Sequence, residues 1–179
     1  MKTNRNYKFA IICMVFGWFS MGAFAQDTPK LADDEIASVA VTANQIDIDY
    51  AKVAVKRSKN KEVIDFANTM TTDHTAIIDQ AVKLVTKLGV TPKDNAVSQS
   101  LMKQAKETLN TLNSVDKKDF DKTYINNEVA YHQAVIDAVN NILIPQAKNQ
   151  ELKDLLVAVV PALETHLEHA KMAQSKILK

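Results

Sequence analysis

Long stretches of the chain place apolar residues every three or four positions, which is the pattern of amphipathic helices. Five such stretches predict helices at about 33–57, 61–88, 95–112, 116–145 and 149–178. Asp33 and Asp34 are expected to cap the start of the first helix. Gly89 and Pro92 are a strong stop for the second, because glycine readily adopts the left-handed conformation that closes a helix. Pro161 lies opposite the apolar stripe of the last helix, so we expect it to bend that helix without ending it.

Four of these helices are long, and the 95–112 segment is a weaker amphipathic helix between the second and third of them. This order predicts an all-α fold, a ferritin-like four-helix bundle with an additional connector helix. At about 1.5 Å per residue, the connector could run most of the bundle's length and act as a crossover. We expect a single domain over residues 33–178, preceded by a flexible lead-in at 26–32.

The first 25 residues have the pattern of a secretory signal peptide. Lys2, Arg5 and Lys8 precede an apolar run over 9–19, and an Ala-Phe-Ala sequence ends at Ala25. We therefore predict cleavage after Ala25 and export to the periplasm or beyond. The alternative, a membrane anchor, is disfavoured because the apolar run is short for a bilayer. No other long apolar run follows, so no transmembrane segment is expected in the mature chain.

Cleavage changes the composition that the remaining chain can use for chemistry. The formal charge goes from +1 to −2, because three cations and no acid are removed, and this balance offers no basic face for nucleic acid. The only cysteine, Cys13, is also lost, which excludes disulfides, thiolate metal sites and covalent haem c. Only Gly89 remains of three glycines. A nucleotide-binding loop, a β-sandwich or a barrel would need more.

Polar residues that fall within the apolar stripes are the candidates for function. They are Asp47 in the first helix, His74 in the second, Glu128 and His132 in the fourth, and His166 and His169 in the last. Four of them lie well inside their apolar stripes, namely Asp47, His74, Glu128 and His166. The other two, His132 and His169, lie towards the edges of theirs. Counting from the interhelical turns places all six near the middle of the bundle.

Imidazoles and carboxylates on facing helices are what a bundle uses to hold a metal. One divalent ion could be bound by His74, His132 and His166 with Asp47 or Glu128. The two acids could instead accept hydrogen bonds from the imidazoles and fix their tautomers. The alternative is a hydrogen-bond network in the core that binds no ligand, in a structural or partner-binding envelope protein.

Enzymatic activity is not predicted. The residues three before each histidine are Thr71, Val129, Leu163 and His166, so the Glu-x-x-His pairs of a dinuclear ferroxidase are missing. No nucleophile pattern or phosphate loop stands out, and no catalytic residue is assigned. His166 and His169, one turn apart, could still chelate a metal at the helix surface.

Three segments carry a family resemblance. They are Met70-Thr71-Thr72-Asp73-His74-Thr75, Phe120-Asp121-Lys122-Thr123-Tyr124 followed by His132, and Pro161-Ala162-Leu163-Glu164-Thr165-His166-Leu167. In this order and spacing, residues 31–178 resemble the exported bacterial family called domain of unknown function 4142. The resemblance implies a ferritin-like bundle in the periplasm or envelope, and implies no activity. Asp47 stands where the resemblance leads us to expect Glu.

Overall fold

The computed structural model describes residues 29–177, and within that range the chain is helical with no strand. The predicted signal peptide therefore lies outside the described residues, as does the start of the predicted lead-in. The five helices are α1 (Asp33–Arg57), α2 (Lys61–Leu88), α3 (Ala96–Ser114), α4 (Lys117–Ala138) and α5 (Gln150–Ile177). The predicted all-α composition and the order of the helices are confirmed.

Contacts at the two ends of α1 define the directions of the other helices. Near its start, the Asn95 side chain at the beginning of α3 donates to the Glu35 carbonyl at 3.2 Å. Near its end, the guanidinium of Arg57 donates to the Leu112 and Val115 carbonyls, the second at 2.6 Å, where α3 terminates. Thus α3 runs alongside α1 in the same direction, and it carries the chain back along the length of α2.

Four helices form a ring of neighbours around a shared interior. α1 packs against α2 and α4, and α5 packs against the other sides of α2 and α4. α3 lies outside this ring and packs mainly on α1, with a smaller contact to α4. A residue on the inner face of any of the four ring helices can therefore meet residues from the other three.

The interior is divided into two apolar clusters along the helix axes. The cluster at the end where α1 terminates is rich in aromatic side chains, including Tyr50, Phe66, Phe120 and Tyr124. The cluster at the opposite end is built from aliphatic side chains such as Ile36, Leu156 and Leu163. The two clusters meet near the middle of the helices, where the polar candidates of the sequence are located.

Asp33 has a different role from the one predicted. Its carboxylate accepts hydrogen bonds from the backbone N–H groups of Lys148 and Asn149, at 2.8 and 3.0 Å. It therefore ties the start of α1 to the residues that lead into α5, and it does not cap its own helix. The side chain of Glu35 instead accepts from the backbone N–H of Ala32, at 3.0 Å.

The end of α4 departs from a regular helix, which the apolar pattern did not predict. Residues Val139–Leu143 form a π-helical turn, in which the Ile144 N–H donates to the Val139 carbonyl five residues earlier, and Ile144–Gln146 add a short helical turn. Pro145 explains this, since its ring would clash with the carbonyl four residues back in a regular helix. By contrast, Pro161 is exposed and α5 continues through it, as predicted.

None of the described helices combines the length and the apolar character that crossing a membrane would require.

Gly89 has φ of 66° and closes α2, with its N–H bonded to carbonyls of the last turn. Gly89→Ala should lower the free energy of unfolding by about 1 kcal/mol, because a Cβ is unfavourable in the left-handed region. Its Cβ would meet no other atom within 4 Å, so the loss would come from the backbone alone. Gly89→Asn should cost less, since asparagine tolerates this conformation. Chemical denaturation of the three proteins checks the order, and an unchanged alanine variant would contradict it.

Candidate metal centre

Five polar side chains from four helices meet at the junction of the two apolar clusters. They are Asp47 from α1, His74 from α2, Glu128 and His132 from α4, and His166 from α5, and each is at most 3% exposed. The structure thus brings together five of the six residues that the sequence singled out. His132, which we placed near the edge of its stripe, is fully inside, because the buried face of α4 is centred on Glu128, His132 and Ile136.

The three imidazoles face one another in a triangle. Their ring centroids are 5.1 Å apart for His74 and His166, 5.5 Å for His132 and His166, and 5.7 Å for His74 and His132. One ring nitrogen from each lies within 4.8 Å of those of the other two. An ion placed among these nitrogens would therefore be within reach of all three rings.

Each imidazole has one nitrogen held by an oxygen acceptor outside the triangle. His74 Nδ1 is 2.7 Å from the side-chain oxygen of Asn44, His132 Nδ1 is 3.0 Å from the Glu128 carbonyl, and His166 Nε2 is 2.9 Å from Asp73 Oδ2. The Asn44 amide is itself oriented, because its nitrogen donates to the Ala40 carbonyl at 2.8 Å. These acceptors favour a proton on the nitrogen that each contacts.

The second nitrogen of each imidazole has no hydrogen-bond partner among the described residues. These atoms are His74 Nε2, His132 Nε2 and His166 Nδ1, and all three are inaccessible to solvent. A neutral imidazole that donates through one nitrogen presents a lone pair at the other. The unpartnered nitrogens of His74 and His132 lie beside the same Asp47 oxygen, and an unsatisfied polar atom is costly there.

The carboxylate of Asp47 lies beside two of these imidazoles. Its Oδ2 is 3.2 Å from His74 Nε2 and 3.3 Å from His132 Nε2, distances at which either ring could donate to it if its Nε2 carried a proton. Burial opposes ionisation of Asp47, yet a hydrogen bond from His74 and the charge that the three imidazoles carry when protonated outweigh it and hold the pKa of this carboxyl below its ordinary value. The Asp47 carboxylate is therefore enclosed in the core with imidazole nitrogens beside it.

Two of the imidazoles are shifted towards their neutral form. Burial lowers the pKa of His132, and the attraction of Asp47 only partly opposes this effect. Burial also lowers the pKa of His166, against the effect of the hydrogen bond that its Nε2 donates to Asp73. Neutral imidazole is the form that can bind a metal ion.

Glu128 differs from Asp47 in its charge state. Burial, together with the negative charge of Asp47, raises its pKa well above the ordinary value, although a hydrogen bond from Asn127 opposes the shift. Its Oε1 accepts that bond at 3.3 Å, whereas Oε2 has no partner and lies 3.7 Å from His132 Nδ1. The Glu128 side chain thus adjoins the centre, and its backbone carbonyl orients His132.

His169 is not part of this cluster. It lies on the exposed side of α5, because a residue three positions after His166 is rotated by about 60° away from it around the helix. The proposed surface chelation by His166 and His169 is not what the structure shows, since His166 points inwards to the other imidazoles.

Two participants were missed by the sequence analysis, namely Asn44 and Asp73. Asn44 is three residues before Asp47 and shares its face of α1. This spacing could have identified Asn44 as a neighbour of the cluster. Asp73 adjoins His74 on α2 but serves His166 on α5, and its side chain is 44% exposed. The tautomer-fixing role that we considered for the Asp47 and Glu128 carboxylates thus belongs to Asn44, Asp73 and a backbone carbonyl.

The raised pKa of Glu128 predicts a pH dependence of stability in the metal-free protein. An acid with a raised folded pKa stabilises the fold below its ordinary value of 4.5, and this contribution is lost as pH rises towards the folded value. Glu128→Gln should therefore gain stability relative to the unsubstituted protein between pH 5 and pH 7. Urea denaturation at both values measures the difference. The exposed Glu164→Gln is the control, and an equal response of both variants would contradict this assignment.

Comparison with known proteins identifies a family. The family model described as "Domain of unknown function (DUF4142)" matches residues 20–173. This range includes the whole cluster and the three segments that suggested the resemblance. No curated protein and no solved structure matches the chain. The chain belongs to the family of domain of unknown function 4142.

Proposed function

We propose that this protein binds one divalent transition-metal ion through His74 Nε2, His132 Nε2 and His166 Nδ1, with the Asp47 carboxylate as the fourth ligand. The observation that carries the proposal is the state of each imidazole: one nitrogen contacts an oxygen acceptor, and the other is buried without a hydrogen-bond partner among the described residues. The three rings also offer nitrogens that lie within 4.8 Å of one another. This is the arrangement of metal-binding histidines, whose outer N–H is commonly fixed by a carboxylate, a carbonyl or water.

The set of donors selects a class of metal. Imidazole nitrogen suits Zn²⁺, Cu²⁺, Ni²⁺ and Fe²⁺, whereas Mg²⁺ and Ca²⁺ prefer sites built from oxygen. Three imidazoles and one carboxylate match the four-coordinate sites that Zn²⁺ adopts. A cation at this place would also balance the charge of the Asp47 carboxylate, which is fully buried beside the imidazoles.

The alternative is a hydrogen-bond network that only fixes the packing of the helices. Two contacts of this kind join different helices, between His166 and Asp73 at 2.9 Å and between His74 and Asn44 at 2.7 Å. The contacts at Asp47 do not complete the network, because a neutral ring that donates through Nδ1 to Asn44 or to the Glu128 carbonyl cannot also donate through Nε2 to Asp47. A network that leaves these atoms unsatisfied would cost stability and give no compensating contact.

We also propose that the fold is a ferritin-like four-helix bundle and that the protein is exported. The ring of α1, α2, α4 and α5, with α3 running the length of the ring as a crossover, supports this fold. The pattern of residues 1–25 supports export through a cleaved signal peptide. A metal-binding role outside the cytoplasm, without an assigned reaction, is the function that these features together favour.

Removal of one imidazole should abolish binding of the ion. Untagged protein should bind one Zn²⁺ per chain in titration calorimetry and gain thermal stability. His74→Ala or His166→Ala should weaken Zn²⁺ binding at least 100-fold. Each substitution removes one imidazole ligand and leaves only two imidazoles and the Asp47 carboxylate. His169→Ala is the matched control, since it removes an exposed histidine from α5 without touching the cluster. Weak binding by the unsubstituted protein, or equal losses in all three variants, would overturn the proposal.

The side chains that accept hydrogen bonds from the imidazoles, Asn44 and Asp73, should also influence the affinity for Zn²⁺. Asn44→Ala and Asp73→Ala are each expected to weaken Zn²⁺ binding about 10- to 100-fold, because the imidazole that each orients would lose its fixed tautomer. The control is Asp49→Ala, which removes a carboxylate on α1 that contacts Lys52 and not the cluster. Competition with a chromophoric chelator measures these affinities. Wild-type affinity in both variants would show that the acceptors do not orient metal ligands.

A further inference from the structure

We propose that the cavity beside the cluster binds a small molecule built on a single apolar ring, with its one polar group facing Asp47, His74 and His132. The inference extends the proposed function, because it assigns a second ligand to the same centre. The apolar part of the site does not depend on the metal, so the two proposals can fail separately.

The cavity has a volume of about 170 Å³ and lies in the aliphatic half of the interior. All four ring helices line it. It exists because α1 presents alanines to the interior in this half, at Ala37, Ala40 and Ala43, and α2 adds Ala81. In the other half, aromatic side chains such as Tyr50 and Phe66 fill the corresponding space. The small alanine side chains thus leave room on the aliphatic side of the polar cluster.

The lining is strongly apolar except at the cluster. Ile77, Leu84 and Val159 are among the side chains that line it, and they are only half-buried although they are aliphatic. An aliphatic side chain that is only partly covered inside a helix bundle contributes less free energy of burial than a fully covered one. A ligand with an apolar body would cover these side chains and recover that free energy.

The polar end of the cavity is defined by three members of the cluster. Asp47, His74 and His132 line it, whereas His166 and Glu128 do not. The Nε2 atoms of both histidines and the carboxylate oxygens of Asp47 are inaccessible to solvent, although their side chains line this end. A polar group on the ligand would therefore lie next to the polar centre, while the remainder of the ligand contacts mainly apolar groups.

The volume limits the size of the occupant. An engineered apolar cavity of about 150 Å³ is known to accept benzene or xenon. The present cavity is slightly larger, which accommodates one six-membered ring with a single substituent. A helix of a partner protein or a fused ring system exceeds this space. The chemistry and the size together point to a monocyclic, weakly polar molecule of which phenol is the simplest probe.

Benzene and phenol binding to the full protein tests the proposal. We expect saturable one-site binding of benzene to metal-free protein in ligand-observed NMR. Ala81→Leu, which fills the cavity, should weaken it at least tenfold, and Ala40→Leu, which fills it from α1, should do the same. The matched control is Ala76→Leu, because Ala76 is exposed on the same helix as Ala81. Circular dichroism of each variant checks that the helices are retained.

The results distinguish failure of the proposed cavity site from failure of the proposed metal site. Absence of saturable benzene binding, or undiminished binding by folded Ala81→Leu and Ala40→Leu, would overturn the proposed cavity site even if Zn²⁺ binds. If the polar group faces the centre, Zn²⁺ should change phenol affinity at least fivefold and leave benzene affinity unchanged. Equal effects of Zn²⁺ on the two probes would refute that orientation. Loss of Zn²⁺ binding with benzene binding intact would contradict the proposed function alone.

Discussion

The burial of an ionised carboxylate among imidazole nitrogens is the constraint on which the rest of the structure depends. Asp47 is fully buried, and its nearest polar neighbours are nitrogens of His74 and His132. Such groups are expensive in an apolar interior unless an ion or a complete set of hydrogen bonds compensates them. Substitution with apolar residues would remove this cost, so the cluster is compatible with the proposed metal ion.

The helices provide the precision that such a site needs. Each of the four ring helices contributes at least one member, and each member is placed between the aromatic and the aliphatic halves of the core. The rings are further fixed by acceptors that lie outside the centre, at Asn44, Asp73 and the Glu128 carbonyl. A site on rigid helices with oriented ligands loses little entropy when the ion binds.

Much of this arrangement can be predicted from the sequence because helices impose a simple periodicity. Residue counts from the turns put Asp47 and His74 at one level, and the structure places their side chains 3.2 Å apart. What could not be predicted depends on how the helices are rotated against each other. His132 was predicted at the edge of its helix face but lies in the buried centre, and His169 is exposed. Asp73, on α2, accepts a hydrogen bond from His166 on α5. The apolar pattern also does not predict the π-helical turn before Pro145, because this turn results from the steric demands of the proline ring.

The cavity adds a second consequence of the same division of the core. Alanines on α1 and α2 line a cavity on the aliphatic side of the centre, and aromatic rings pack on the other side. A metal site with such an asymmetry can accept a further ligand from one direction. The absence of an assigned reaction in this family makes the identity of that ligand the natural route to its function.

Long-range ¹H–¹⁵N NMR of the histidine rings tests the central claim most directly. In metal-free protein at neutral pH, we predict a proton on Nδ1 of His74 and His132 and on Nε2 of His166, with the His132 and His166 rings neutral. One equivalent of Zn²⁺ should then shift the other nitrogen of each of these rings and leave His169 unchanged. Protons on the nitrogens that face Asp47, with no response to Zn²⁺, would contradict the account.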